Sequence, residues 1–360
     1  MAREGFGDAA ADALAGAGDE GGSPGEIEHG SLLGIGFCGH ANGSGAAREP
    51  DVARGSIVER RCPAAPRNAQ GDLVRIGISL PVRELKNDLG AIREFAQTAD
   101  DLGLAHLRVP DQVIRPKSGH LHEPMTLLAW VAGITRKIEL VPSVIVTPSR
   151  QTVLLAKQAA EVDLLSGGRL RMGLGVGGSR EEYEALGADF STRGRRCDEQ
   201  ITLLKKLWAE ERPTFEGEFD RVDGVGLDPL PVQQPIPIWI GGGAGFGKDF
   251  GREALLRRIG RHADGWFAIV PIPLVAGFQE TIARHALEAG RDPASIGFEG
   301  GCGMAGKTTE EWLGRLRDWE GAGASHLCLR TLDGELSAPQ QIDLMQEAHR
   351  VLGMQGIACE

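Results

Sequence analysis

The chain has 360 residues, a formal net charge of −11, 41% hydrophobic residues and 5% aromatic ones. That length accommodates one large α/β barrel or two modest domains with an ordinary core. The acidic balance excludes nucleic acid or an anionic membrane as the main partner, and no apolar run approaches the roughly 20 residues that span a bilayer.

Residues 1–72 are dominated by Gly, Ala, Ser and Arg and lack periodicity outside the short run 32–38. Such a composition buries too little apolar surface to offset the entropy of ordering, so a disordered N-terminal extension is expected. Ordered pattern begins abruptly in LVRIGISLP, which suggests a biological start at Val74 from a valine initiator codon. An intact-mass spectrum containing residues 1–73 would refute that start. The cysteines at 38, 62, 197, 302, 328 and 359 form no CxxC pair, and the early acids leave no apolar signal core. Both features suit a reduced, cytoplasmic protein.

From 74 onward strands and helices alternate. Strands are expected over 75–80, 106–110, 138–146, 170–176, 236–240, 265–269, 296–302 and 326–330. Helices are expected over 91–102, 124–135, 151–165, 196–208, 252–262, 274–289, 309–322 and 339–352. Most of the strands read as continuous apolar runs, which suits a sheet buried on both faces. Eight β-then-α units match an α/β fold of the (β/α)8 TIM-barrel type over 73–353, followed by a stub at 354–360. A doubly wound sheet is the rival. The connection 210–235 is rich in Pro and Gly, and PTFEGEFDRVDG within it reads as a small hairpin. The mixed charges of 193–199 read as a solvated helix start with local ion pairs. Glu181 and Glu182 read as helix-start acids. Gly265 reads as a tight turn and Trp266 as a packing residue. Arg330 reads either as a barrel-top ion pair or as a contact for an anion.

Two strands end in glycines, at Gly175, Gly177 and Gly178 and again at Gly241, Gly242 and Gly243. Glycine lets a backbone approach a bound group or take positive φ without strain. Two such mouths suggest one flat or phosphorylated cofactor lying across both. Free backbone N–H groups of 241–244, before the helix near Arg252, offer an anion site, with Lys248 read as an exposed loop lysine. The run GLGVGG spaces its glycines as GxGxGG, not GxGxxG, and no acidic residue closes the next strand. An NAD-dependent dehydrogenase therefore ranks below the barrel reading.

The stretch AKQAAEVDLLSGGRLRMGLGVGGSREEYEALGADFSTRGRRCDEQITLLKKLW resembles the luciferase-like family of flavin- and deazaflavin-dependent oxidoreductases. PLPVQQPIPIWIGGG, ADGWF, RIGISLP and VPDQV follow the same pattern in the same order, so the resemblance covers about 74–353. It implies a barrel with the cofactor ring at the C-terminal ends of the strands. There it places Ser79, Ser143, Val144, Gly175, Gly177, Gly178, Gly241, Gly242 and Gly243 at the cofactor. In many relatives a non-proline cis peptide bulges toward the ring, and the matching bond is Ser143–Val144.

Deazaflavin-dependent relatives often carry Asp-His where this chain has Asp111 and Gln112. Glutamine cannot act as a general base near neutral pH, so that role does not carry over. Asp111 and Gln112 remain candidates for orienting substrate or cofactor. A replacement proton donor is sought in SGHLHEP, at His120 or His122. Those histidines read as surface residues, as a pocket proton donor, or as metal ligands without a neighbouring metal motif, and no metal is assigned. The arginine that helps hold the flavin phosphate in classical luciferases corresponds to Val176, which favours coenzyme F420 over FMN. F420 implies hydride transfer on a small organic substrate, and FMN implies monooxygenation with oxygen. The family also implies a homodimer. The absent histidine keeps a second reading open, a non-catalytic barrel subunit that serves as a binding or scaffolding partner.

Overall fold

The computed structural model describes residues 74–114, 121–242, 252–332 and 334–354, all within the compact unit Cys62–Glu360. The expected extension, His120, Gly243, Lys248 and residues 355–360 lie outside the described residues.

The chain alternates as the pattern predicts. Strand β1 (Arg75–Ser79) leads through the short α1 (Val82–Leu85) to α2 (Leu89–Asp101), and β2 (His106–Val109) leads to α3 (Pro124–Ile134). Next come β3 (Glu139–Pro142), β4 (Ile145–Val146), α4 (Thr152–Ser166), β5 (Met172–Gly175), α5 (Arg180–Ala185) and α6 (Arg193–Ala209). A hairpin of β6 (Thr214–Glu216) and β7 (Arg221–Asp223) precedes β8 (Ile238–Gly242), α7 (Arg252–His262), β9 (Gly265–Ala268) and α8 (Val275–Glu288). The last elements are β10 (Gly297–Gly303), α9 (Thr309–Gly321), β11 (His326–Arg330) and α10 (Ala338–Met354).

Local chemistry sets the helix ends. The Asp88 side chain accepts from the Ala91 N–H and starts α2 two residues earlier than the apolar pattern suggests. Thr308 and Glu311 form a reciprocal capping box on α9. Gly167 ends α4 in the left-handed conformation, at φ 70°.

The main sheet runs β3-β2-β1-β11-β10-β9-β8-β5-β4, with every pairing in it parallel. Its two end members are consecutive halves of the single segment 139–146. The sheet therefore closes on itself as an eight-position barrel, and the doubly wound rival falls. The expected strand 138–146 is interrupted at Ser143–Val144, which is a cis peptide bond. The hairpin β6–β7 is antiparallel, as expected.

Outward-facing side chains such as Ile76, Ile78, Leu107, Leu140, Leu174, Ile238, Ile240 and Leu329 are fully or almost fully buried under the helices. The sheet is buried on both faces, as expected, but the inward face is not purely apolar. It carries Val141, Trp239 and Phe267 together with glycines and with His106, Arg108, Glu139, Arg171, Glu299 and His326. Contacts among β2, β10 and the start of β5, which are not neighbours in the sheet, are possible only across the barrel interior.

Three smaller expectations are also corrected. Asp198 pairs with the buried Arg258 of α7 instead of locally. Glu199 accepts from the backbone N–H groups of Glu218, Phe219 and Asp220, which fastens the hairpin to α6. Gly265 serves close approach, since a Cβ there would collide with the Trp239 indole. Trp266 is buried and stacks on Phe278, as a packing residue should. Among the described residues no helix is long and apolar enough to cross a membrane.

Candidate active site at the C-terminal mouth of the barrel

Parallel strands all point their C-terminal ends to one face, and the loops there form the site in barrels of this type. The residues that reach this mouth include Ser79 from β1, Asp111 and Gln112 after β2, Ser143 and Val144 between β3 and β4, and Gly175–Gly178 from β5. Gly241 and Gly242 close β8.

The interruption of strand three is held from several directions. The Ser143 N–H donates to the Val109 carbonyl at 2.7 Å, and Arg108 donates to the Ser143 hydroxyl. Carboxylate Asp111 accepts from the Val146 N–H at 2.9 Å and from Arg150 at 2.7 Å. Val144 then projects between two neighbouring strands. A Cβ on Gly175 would fall 2.5 Å from its Cγ2, and one on Gly241 would fall 2.6 Å from its Cγ1. A valine branches at Cβ and cannot swing away, so these two positions need glycine for the protein's own packing.

The glycine mouths therefore divide by role. Gly175 and Gly241 make room for Val144, Gly177 (φ 61°) makes room for Val146, and Gly242 makes room for Leu255. Gly178 alone of this set faces open space, with nothing within 4 Å of a Cβ. Val144 is thus wedged against Gly175 and Gly241 with the Ser143 hydroxyl beside it, while a side chain on Gly178 would meet open space.

Asp111 is occupied structurally. Burial pushes its carboxyl up, and the Arg150 guanidinium and Val146 N–H only partly oppose that shift. Gln112 is half-buried beside it. His122 uses Nε2 to donate to the Lys86 carbonyl at 2.8 Å, which fastens the second loop to the first. Glu182 accepts from the Val113 N–H at 2.7 Å and ties α5 to the loop after β2. Glu181 and Glu182 stand in the first turn of α5, as expected, and the Ser179 side chain caps it.

Below the mouth lies a network that the sequence reading missed. Glu299 is fully buried, 2.6 Å from Arg108, 3.4 Å from Arg171 and 3.1 Å from His106 Nε2. Arg171 also donates to Glu139 at 2.8 Å and lies over the Trp239 ring, 4.2 Å from its centroid. Arg108 stacks over Phe267 at 4.7 Å. Burial raises the Glu299 carboxyl, but His106, Arg108 and Arg171 outweigh it and hold the group well below the usual carboxylate range. His106 is lowered by burial, and His326 is held well below its usual value by burial and then by Arg171. His106, Glu299 and Cys328 bring nitrogen, oxygen and sulfur within 4.8 Å of one another. The two guanidiniums already hold Glu299 and would repel a dication, so the cluster is an ion network. The missed signal was period-two placement of charge: His106 and Arg108 two apart in β2, and a lone Glu299 among glycines in β10.

Comparison with known proteins gives a consistent result. The family model described as luciferase-like monooxygenase matches residues 68–326. The F420-dependent glucose-6-phosphate dehydrogenase of Kineococcus radiotolerans is 36% identical over 170 residues, covering 45% of this chain and 50% of that enzyme. The chain spans from 50% to 62% of the length of such curated relatives. Among solved structures, an F420-dependent secondary alcohol dehydrogenase in complex with an F420-acetone adduct superposes with a TM-score of 0.65 at 15% identity. That match covers 77% of this chain and 98% of the other. The EDTA monooxygenase of Chelativorans sp. BNC1 superposes with a TM-score of 0.63 at 15% identity, covering 79% and 95%.

Proposed function

The chain belongs to the luciferase-like monooxygenase family, and from that premise we propose that it is an F420-dependent oxidoreductase acting on a small organic substrate. The observation that carries this reading is the cis Ser143–Val144 bond, which seats Val144 between Gly175 and Gly241 at the barrel mouth, where the family's cofactor ring would rest. Two features favour deazaflavin over FMN. Val176 stands where an arginine would help hold the flavin phosphate, and the relative that is 36% identical is an F420-dependent enzyme. When bound, the cofactor supplies hydride chemistry.

The chain's own residues position and enclose. Val144 is seated between Gly175 and Gly241, Ser143 is oriented by Arg108, and Gly178 leaves open space. Asp111 holds the β4 backbone and Arg150, so its role is positioning; its oxygens are already engaged. Gln112 offers hydrogen bonds to a ligand without titrating. The intact seat of Val144 argues against a non-catalytic subunit.

Paired fluorescence titrations of the purified protein with F420 and FMN test the reading. Micromolar binding of F420 with much weaker FMN binding is the expected result. A preference for FMN would replace hydride transfer by monooxygenation. Binding of neither by folded protein would overturn the oxidoreductase assignment.

A further inference from the structure

We infer that the β10–β11 side of the mouth is an anion site, and that the substrate carries a phosphate, sulfonate or carboxylate held there by Arg330 and Lys307 above Arg108. The inference deepens the oxidoreductase reading and rests on it for the word substrate.

Position is the first support. The inward face of β10 is glycine at 301 and 303. A Cβ on Gly301 would sit 3.4 Å from the Arg330 guanidinium, and one on Gly303 would sit 3.6 Å from the Lys307 ammonium. Both cations thus lie over the inner wall of the mouth. Among the described residues neither forms an ion pair.

Charge balance is the second. The axial network sets three guanidiniums, Arg75, Arg108 and Arg171, against two carboxylates, Glu139 and Glu299. The buried histidines His106 and His326 stay neutral, and burial pushes the Cys328 thiol up to about 11. Counting Arg75 at the opposite end of β1, the network carries one more guanidinium than carboxylate, and Arg108, paired with Glu299, is its member toward the mouth, with 18% of its side chain exposed. Its Nε is buried without a hydrogen-bond partner. Arg330 and Lys307 add two more cations in a chain whose formal charge is −11. Cations gathered at the mouth of an otherwise acidic protein concentrate anions there.

Topology separates this site from Val144. In the closed ring of strands, β10 and β11 stand opposite the β3–β4 segment and β5. An anion on β10–β11 therefore faces Val144 across the mouth, where a substrate should enter.

The test uses the full chain without cofactor, so its readout is independent of turnover. Thermal shift at constant ionic strength is measured with inorganic phosphate, an alkanesulfonate, a sugar phosphate and the uncharged sugar. The expected result is stabilisation by the anions and none by the sugar, with apparent affinity falling at least tenfold in both Arg330→Gln and Lys307→Gln. These are exposed positions, so the variants should fold. Arg108→Lys, which keeps the charge but loses the fork, should weaken the same anions. FMN and riboflavin are titrated in parallel. Unchanged anion affinity in Arg330→Gln and Lys307→Gln would overturn the inference. So would a loss in those variants confined to FMN over riboflavin, which would assign the cations to a cofactor phosphate. Arg330-dependent anion binding with no cofactor binding would keep the site and remove the oxidoreductase reading instead.

Discussion

Replacing Glu299 by Gln removes one charge from the barrel interior while preserving shape. The side chain is fully buried, and its carboxylate is the only acidic partner of Arg108 in the network. Arg171 keeps the Glu139 carboxylate at 2.8 Å, whereas Arg108 keeps only neutral contacts, among them the Ser143 hydroxyl and the Phe267 ring. Most of the cost therefore falls on one stranded guanidinium. Breaking a buried pair by removing one partner costs about 3–5 kcal/mol, a large share of the roughly 5–15 kcal/mol that stabilises a domain. Equilibrium urea denaturation of wild type, Glu299→Gln, Arg108→Met and the double variant measures it. The double variant should be more stable than the sum of the single losses predicts, with a coupling of about 1–3 kcal/mol. A Glu299→Gln change within about 0.5 kcal/mol of wild type, or strict additivity with Arg108→Met, would refute the network as described.

Gly241→Ala places a methyl group 2.6 Å from Val144 Cγ1 and should destabilise by about 1–3 kcal/mol, with recovery when Val144→Ala is added. Gly178→Ala meets open space; its unfolding midpoint should barely move while the titrated affinity for F420 drops, and unchanged affinity would remove Gly178 from the cofactor edge. Asp111→Asn should cost about 1.5–3 kcal/mol by weakening the hold on Arg150, without shifting the pH dependence of cofactor binding. His106 and His326 have folded values below the ordinary 6.5. The unfolded chain therefore binds protons below about pH 6.5 that the native state refuses, and stability should fall as pH drops from there, by up to about 1.4 kcal/mol per unit for each ring. Chemical denaturation between pH 6.5 and 5 checks this, and a flat profile would contradict burial of the neutral rings.

The barrel was legible because β/α alternation is written locally. Apolar runs of strand length, polar helix starts and glycine stops recur in order, and all eight strand expectations found their place in the closed sheet. The family motifs likewise point to the Ser143–Val144 bond, which is cis. Their role within the site was less legible. Gly175 and Gly241 looked like contacts for a ligand, and the structure shows them first as clearance for Val144. Asp111 looked free to orient a ligand, yet it is bound to Val146 and Arg150.

Periodicity and glycine placement along the chain determine the architecture, since each β/α unit is specified by neighbours a few residues apart. Only barrel closure decided that Arg108, Arg171 and Glu299, separated by as many as 191 residues, share one buried network. Their meeting depends on sheet register and on which face of each strand turns inward, and those follow from pairings between distant segments. The same closure sets Arg330 and Lys307 over the inner wall of the mouth, across the barrel from Val144.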